Sequence, residues 1–321
     1  MSRSVCICLL LAALLPAQTP RKLTTLFQGT NTGIAGWGLF FDVDVTTEKG
    51  LVITALETNV AESALPATVE IYVCPETYVG NERNVPIWQR AAIATGTAAG
   101  LDNPTLVTLS PPLALQPGSY GLALYHQGIT PRYTNGNGSN QEFVNVDVGI
   151  HCGIVLTGLF NGFTFSPRVW NGSLLYQVPP NAAAMRAYGS GCTGSNGAPV
   201  LARASGSWPK LGTTLQLELS RLPTTSGGFS LLLGTSSTLW GTLPLPFDLT
   251  PLGMTGCTAL VGIEASLFGI RNAGKGTLAV AIPNAPALLG RALFFQGFVP
   301  DQSANPFGAT TSNAAGAILG Q

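Results

Sequence analysis

Apolar and polar residues alternate with a period of two along much of this chain. In residues 67–73, Val69, Ile71 and Val73 fall on one side and Thr68, Glu70 and Tyr72 on the other. Residues 41–45 repeat the pattern and bring Asp42 and Asp44 onto a common face. Residues 213–220 set Leu215, Leu217 and Leu219 against Gln216 and Glu218. This period is the mark of half-buried β-strands. Residues 276–282 and 292–299 are more continuously apolar and read as more deeply buried strands. Turn chemistry separates the runs. Pro117-Gly118 suits a type II turn, with φ fixed by proline and a positive φ taken by glycine. Asn135-Gly-Asn-Gly138 and Asn171-Gly172 are hairpin-type signals. Helical periodicity is almost absent; residues 181–188 and 314–319 predict one turn each, too short to stand alone.

The paired prolines Pro179-Pro180 cannot continue a central strand and mark a boundary. The pattern therefore predicts an all-β protein of two consecutive antiparallel β-sandwich domains of jelly-roll or Greek-key type, 20–178 and 188–321, joined by a linker over 179–187. No internal repeat relates the halves.

Composition narrows the setting. The chain has 321 residues, enough for two cores, and only 9% of them are charged. Formal net charge is zero, with no basic patch or charge run, so the electrostatic footprint of nucleic-acid binding is missing. At the N-terminus, Arg3 precedes an apolar stretch from Val5 to Leu15 that is too short to span a bilayer. Pro16-Ala17-Gln18 follows, so residues 1–17 read as a secretory signal peptide. Cleavage there would remove Cys6 and Cys8 and deliver the protein outside the cytoplasm, secreted or at the cell surface, with no later membrane span. Cys74, Cys152, Cys192 and Cys257 then remain. An even count in an oxidising compartment suggests two disulfides. Of the three connectivities, the domain division favours Cys74–Cys152 and Cys192–Cys257. A zinc site is the rival, but there is no CxxC spacing and only His126 and His151 to assist.

Stretches of both halves resemble the modules of uncharacterised secreted proteins from planctomycete-type bacteria. In the first half these are Val69-Glu-Ile-Tyr-Val73, Thr77-Tyr-Val-Gly-Asn-Glu82 and Phe165-Ser-Pro-Arg-Val-Trp-Asn-Gly172. In the second they are Tyr188-Gly-Ser-Gly-Cys192, Gly256-Cys257, Phe294-Phe-Gln296 and Thr311-Ser-Asn-Ala314. The resemblance implies an extracellular β-rich protein, with a jelly-roll-like N-terminal module and a second module that keeps a Cys192–Cys257 pair. It brings no catalytic residue. Cys74 stands where that pattern has another residue type, so a Cys74–Cys152 bond rests on parity alone.

Candidate chemistry is sparse. His151 neighbours Cys152, but a Cys–His nucleophile needs a setting that favours thiolate, and in an oxidising compartment a disulfide is the expected state. Asp42 and Asp44 have the spacing of a glycosidase carboxyl pair. The same two acids, with carbonyls or with Asp147 or Asn140, would supply oxygens for a structural calcium; no other cofactor is expected. The ordinary alternative is a solvated strand face. The Gly189–Gly194 run lacks the strand and helix of a phosphate loop. Trp88 and Trp170 read as core. Tyr133, with Asn135, Asn137 and Asn140, reads as an exposed platform on a loop, where rigid β scaffolds carry binding. The resulting expectation is a non-catalytic extracellular module that binds a glycan or a surface protein. The alternatives are a structural component of envelope or matrix, and a carbohydrate-active enzyme using Asp42 and Asp44.

Overall fold

The alternating segments become strands whose apolar sides meet. Gly38–Val45 turns Leu39, Phe41, Val43 and Val45 into one core, and Ser63–Pro75 adds Val69 and Ile71 to it. Thr214–Ser220 buries Leu215, Leu217 and Leu219 in a second core. The computed structural model describes residues 20–321; the leader expected over 1–17 lies outside them. The chain is all-β, with antiparallel sheets curled into two sandwich- or barrel-like bodies.

The first body is built on an eleven-stranded sheet. Its order is Arg21–Thr24, Gly172–Gln177, Leu51–Thr58, Thr105–Leu115, Gln89–Ala99, Ser63–Pro75, Gly118–Gln127, Gly38–Val45, Val148–Gly158 and Glu142–Val144, with Asn161–Phe165 also on Val148–Gly158. Side chains bring its two ends together. Arg21 Nη1 lies 2.6 Å from Asp147 Oδ2, and the Tyr176 hydroxyl donates to the same oxygen at 3.1 Å. A small sheet of Arg168–Trp170, Arg132–Asn135 and Asn31–Thr32 lays Trp170 and Tyr133 against the same core, the indole stacked on Phe41 at 4.9 Å.

The second body is an eight-stranded sheet, running Ala184–Tyr188, Ala309–Ile318, Ala292–Pro300, Gly227–Gly234, Ala265–Asn272, Lys275–Ala281, Thr214–Ser220 and Val200–Arg203. Its seam is also closed by a side chain. The Asn313 amide accepts the Leu201 N–H at 2.8 Å and donates to the Leu201 carbonyl at 3.0 Å, standing in for one rung of a backbone ladder. Outside the sheet sits a lobe of two short strand pairs, Leu239–Trp240 with Leu243–Pro244 and Phe247–Asp248 with Thr258–Ala259. The Cys192–Cys257 disulfide joins the lobe region to the chain's entry into the body, over a small core of Leu249, Met254, Ala259 and Ala309. Fully buried Gln296 helps to hold it, accepting the Leu260 N–H and donating to the carbonyls of Thr258 and Ser312.

Three local expectations are corrected. The segment 179–187 is not a linker throughout, because Ala184–Tyr188 is already a strand of the second sheet. The helical turns expected at 181–188 and 314–319 are replaced by strands that pair with each other, Ala184 opposite Ile318 and Tyr188 opposite Ala314. Alanine has the highest intrinsic helix propensity, but propensity is a small term, and a ladder with buried small side chains overrides it. The Asn135 and Asn171 signals make loops between sheets instead of two-residue hairpins.

The expected Cys74–Cys152 bond is a further correction. Two strands, Gly118–Gln127 and Gly38–Val45, stand between those carrying the cysteines, which sets them about 14 Å apart at the usual strand spacing. Disulfides require Cα atoms within about 7 Å. The two thiols also face opposite sides of the sheet, Cys152 in the main core and Cys74 in an outer cluster with Phe40, Tyr78 and Trp88. Burial pushes Cys74 up to about 11 and Cys152 up to about 12, far from the thiolate range. Protein starting at Gln18 is therefore expected to show no fast-reacting thiol towards Ellman's reagent when native, two after denaturation, and four after denaturation with reduction. Fewer than two in the denatured, unreduced sample would mean that these cysteines are bridged.

The bodies meet over a hydrogen-bonded junction. Met185 N–H donates to the Thr46 carbonyl, Glu48 N–H to the Ala183 carbonyl, and Lys210 pairs with Glu48 at 2.8 Å. Gln321 returns to the same place, its N–H on the Asn181 carbonyl at 2.8 Å.

Candidate functional site

The acidic pair lies on the outer face of the first sheet, half-buried. Asp42 stands in a cross-strand row with Gly121 and His151. Its Oδ1 accepts the Tyr78 N–H at 2.8 Å and its Oδ2 the Thr77 hydroxyl at 2.7 Å, which pins the loop after Ser63–Pro75 onto the sheet. Asp44 Oδ1 accepts from the Ser119 hydroxyl at 2.6 Å, and its Oδ2 lies 2.8 Å from His151 Nε2. Arg186 crosses from the second body and donates to the Asp44 carbonyl at 3.1 Å. Glycine at 149 makes room for it, since a Cβ there would sit 2.8 Å from the guanidinium.

These contacts divide the acids electrostatically. Burial raises the Asp42 carboxyl above its ordinary value, against the pull of its Thr77 and Tyr78 donors. Hydrogen bonding to His151 lowers Asp44, and the same bond raises His151. All four carboxylate oxygens are engaged by donors, and donors compete with a cation for the same lone pairs. The helpers that calcium was expected to recruit are elsewhere: Asp147 is on the sheet seam, and Asn140 is in the 135–141 loop. Among the described residues no group of three or more His, Cys, Asp or Glu is arranged to hold a metal ion. In the structure Asp42 and Asp44 form a clasp between loop, sheet and second body.

The expected loop platform also changes. Tyr133 is only 2% exposed, because strand pairing places it opposite Trp170 and Asn31 and turns its ring into the core. Asn137 spends its side-chain oxygen on Ser139 and on the Asn140 N–H. Asn140 accepts the Asn137 N–H and donates to the Asn135 carbonyl. Asn135 Oδ1 takes the Asn31 amide. These asparagines build the loop itself.

One concave feature is at the junction. A cleft of about 880 Å³ opens between the edge strands Ala184–Tyr188 and Val200–Arg203, with Asn313 and Ala315 between them and Glu142 of the first body alongside. Hydrogen-bond direction alternates along an antiparallel strand. Met185 donates away from its ladder partner, to Thr46, so Ala187 also aims its N–H and C=O outward, along the open edge. Leu201 turns to Asn313 in the same way, so Arg203 presents its own backbone pair on the opposite wall. The Arg203 guanidinium is fixed 3.7 Å over the Trp208 ring. Periodicity could not reveal this cleft, because it depends on which strands end the sheet.

No protein-family model matches the chain, and no curated protein matches it in sequence.

Proposed function

We propose that the protein is an exported, non-catalytic binding module whose junction cleft takes an extended peptide segment of a surface or matrix protein as an added strand. The observation that carries this reading is the pair of facing strand edges, with the outward backbone groups of Ala187 and Arg203 on opposite walls. Unpaired edges bind extended chains through main-chain hydrogen bonds, and flanking side chains select among them. Here Glu142 and Arg203 supply one charge of each sign. Export is supported by the apolar leader and the Cys192–Cys257 disulfide. No helix among the described residues is long and apolar enough to cross a membrane. The acids, all engaged as clasps, are read as structural.

The test is selection from a random phage-displayed peptide library, with a glycan array in parallel. Ala187→Pro removes only the outward N–H and is tolerated at a sheet edge. It is expected to weaken selected peptides at least about tenfold. Glycan hits without peptide hits, or peptide binding undiminished in the variant, would overturn the strand-addition reading.

A further inference from the structure

The second body has another opening, which shares no lining residue with the junction cleft. It is a cavity of about 680 Å³ at one end of the sandwich, between Lys275–Ala281 and Ala292–Pro300, beside the short 3-10 turn Pro286–Leu288. Val280, Ile282, Leu288, Leu293 and Leu319 form its apolar walls. Val280, Ile282 and Leu319 belong to the second core and Leu288 and Leu293 pack against it, so the floor of the cavity is the end of that core. Arg291 is its one charged lining residue. The guanidinium is exposed and makes no ion pair among the described residues. Backbone bonds fix its position: Gly290 N–H donates to the Leu319 carbonyl, and Leu319 N–H to the Arg291 carbonyl.

We infer that this cavity binds a single-chain anionic amphiphile, its alkyl chain lying against Val280, Ile282 and Leu293 at the end of the sandwich and its anionic head on Arg291. Leucine and isoleucine walls reward burial of a hydrocarbon and offer a polar ligand almost nothing. A lone, unpaired guanidinium at the edge of an apolar hole selects a carboxylate, sulfate or phosphate head over a neutral or cationic one. The volume lies in the range that holds a small-molecule ligand. Each methylene that enters should raise affinity about fourfold. The inference is independent of peptide binding at the junction.

Calorimetric titration of the full protein with octanoate, decanoate and dodecanoate below their micelle concentrations tests it, with decanol and decyltrimethylammonium as head-group controls. Saturable binding is expected, strengthening by about fourfold per methylene and favouring decanoate over both controls. Arg291→Glu should weaken decanoate at least about tenfold and reverse the preference towards the cation. Leu288→Trp, at a half-buried position on the cavity wall, should fill the hole and abolish binding while the thermal transition is retained. Equal affinity for decanoate and decanol, or binding unchanged in both variants, would overturn the site. So would sedimentation with phosphatidylglycerol vesicles in the absence of any binding of monomeric chains, which would point to a membrane surface instead.

Discussion

A Cys192→Ala/Cys257→Ala double variant is expected to lose about 4 kcal/mol of stability in the second body. The bond joins residues 65 apart, and closing a loop of that length restricts the unfolded chain by about this amount. The folded side of the balance points the same way. The lobe reaching from Leu239 to Ala259 contributes no strand to the eight-stranded sheet. Its other attachments include the small core around Leu249 and Met254, the Thr258 carbonyl held by both Gln296 and the Thr311 hydroxyl, and the Gly253 carbonyl on the Phe307 N–H. The Cys192 sulfur also accepts the Thr311 N–H at 3.2 Å, so the substitution strips a partner from the strand beside the seam. Urea denaturation followed separately in the two bodies is the measurement. The transition of the second should move well down in denaturant while that of the first stays in place. A change of less than about 1 kcal/mol would mean that the reduced chain already holds the lobe closed.

Acidification should destabilise the first body by about 3 kcal/mol between pH 6.5 and 4, through one residue. His126 lies in Gly118–Gln127 and is fully buried. Its Nε2 is hydrogen-bonded to the Thr58 hydroxyl at 3.1 Å, and that hydroxyl also accepts the Trp170 indole N–H. Nδ1 is buried and has no partner. Burial outweighs the attraction of the Glu62 carboxylate and takes the imidazole down from 6.5 to about 4. Above pH 6.5 both folded and unfolded chains hold the ring neutral, and stability does not depend on it. Between 6.5 and 4 the unfolded chain takes up a proton that the folded chain refuses, so stability falls as pH falls. Below about 4 the loss is complete. His151 acts with the opposite sign: Asp44 raises it, and its contribution is present below 6.5 and disappears as pH rises through the raised value. That pair is half-exposed, so its effect is small. His126→Leu should flatten the acid limb, and an unchanged slope in that variant would remove His126 as the cause.

Much of the architecture was readable from periodicity, and the reasons for the misses are physical. Alternation at Val69, Ile71, Leu215, Leu217 and Leu219 reports which side of a strand is covered, and these side chains are buried. The large sheets lie on either side of Pro179-Pro180 in the chain, and the second begins sooner than the composition suggested, at Ala184. What failed was whatever depends on partners distant in sequence. Tyr133 looked like a loop aromatic because its neighbours are Asn and Gly; pairing with Trp170 decides its burial. Parity suggested a bond for Cys74 and Cys152, but parity carries no information on the strands that lie between them. Asp42 and Asp44 were correctly placed on one face, yet their donors come from Thr77, Tyr78, Ser119 and His151, each more than 30 residues away. The Asn313 seam joins residues 112 apart, and nothing in Thr311-Ser-Asn-Ala314 marks that asparagine as a substitute for backbone.

The return of Gln321 to Asn181 has a mechanical consequence. Entry to and exit from the second body lie at nearly one point, beside the bonds that dock it to the first. Ala184 lies opposite Ile318 in neighbouring antiparallel strands, so tension between the first body and residue 321 would load that ladder one rung at a time, starting beside the Gln321–Asn181 bond, and would unzip the sheet from that corner.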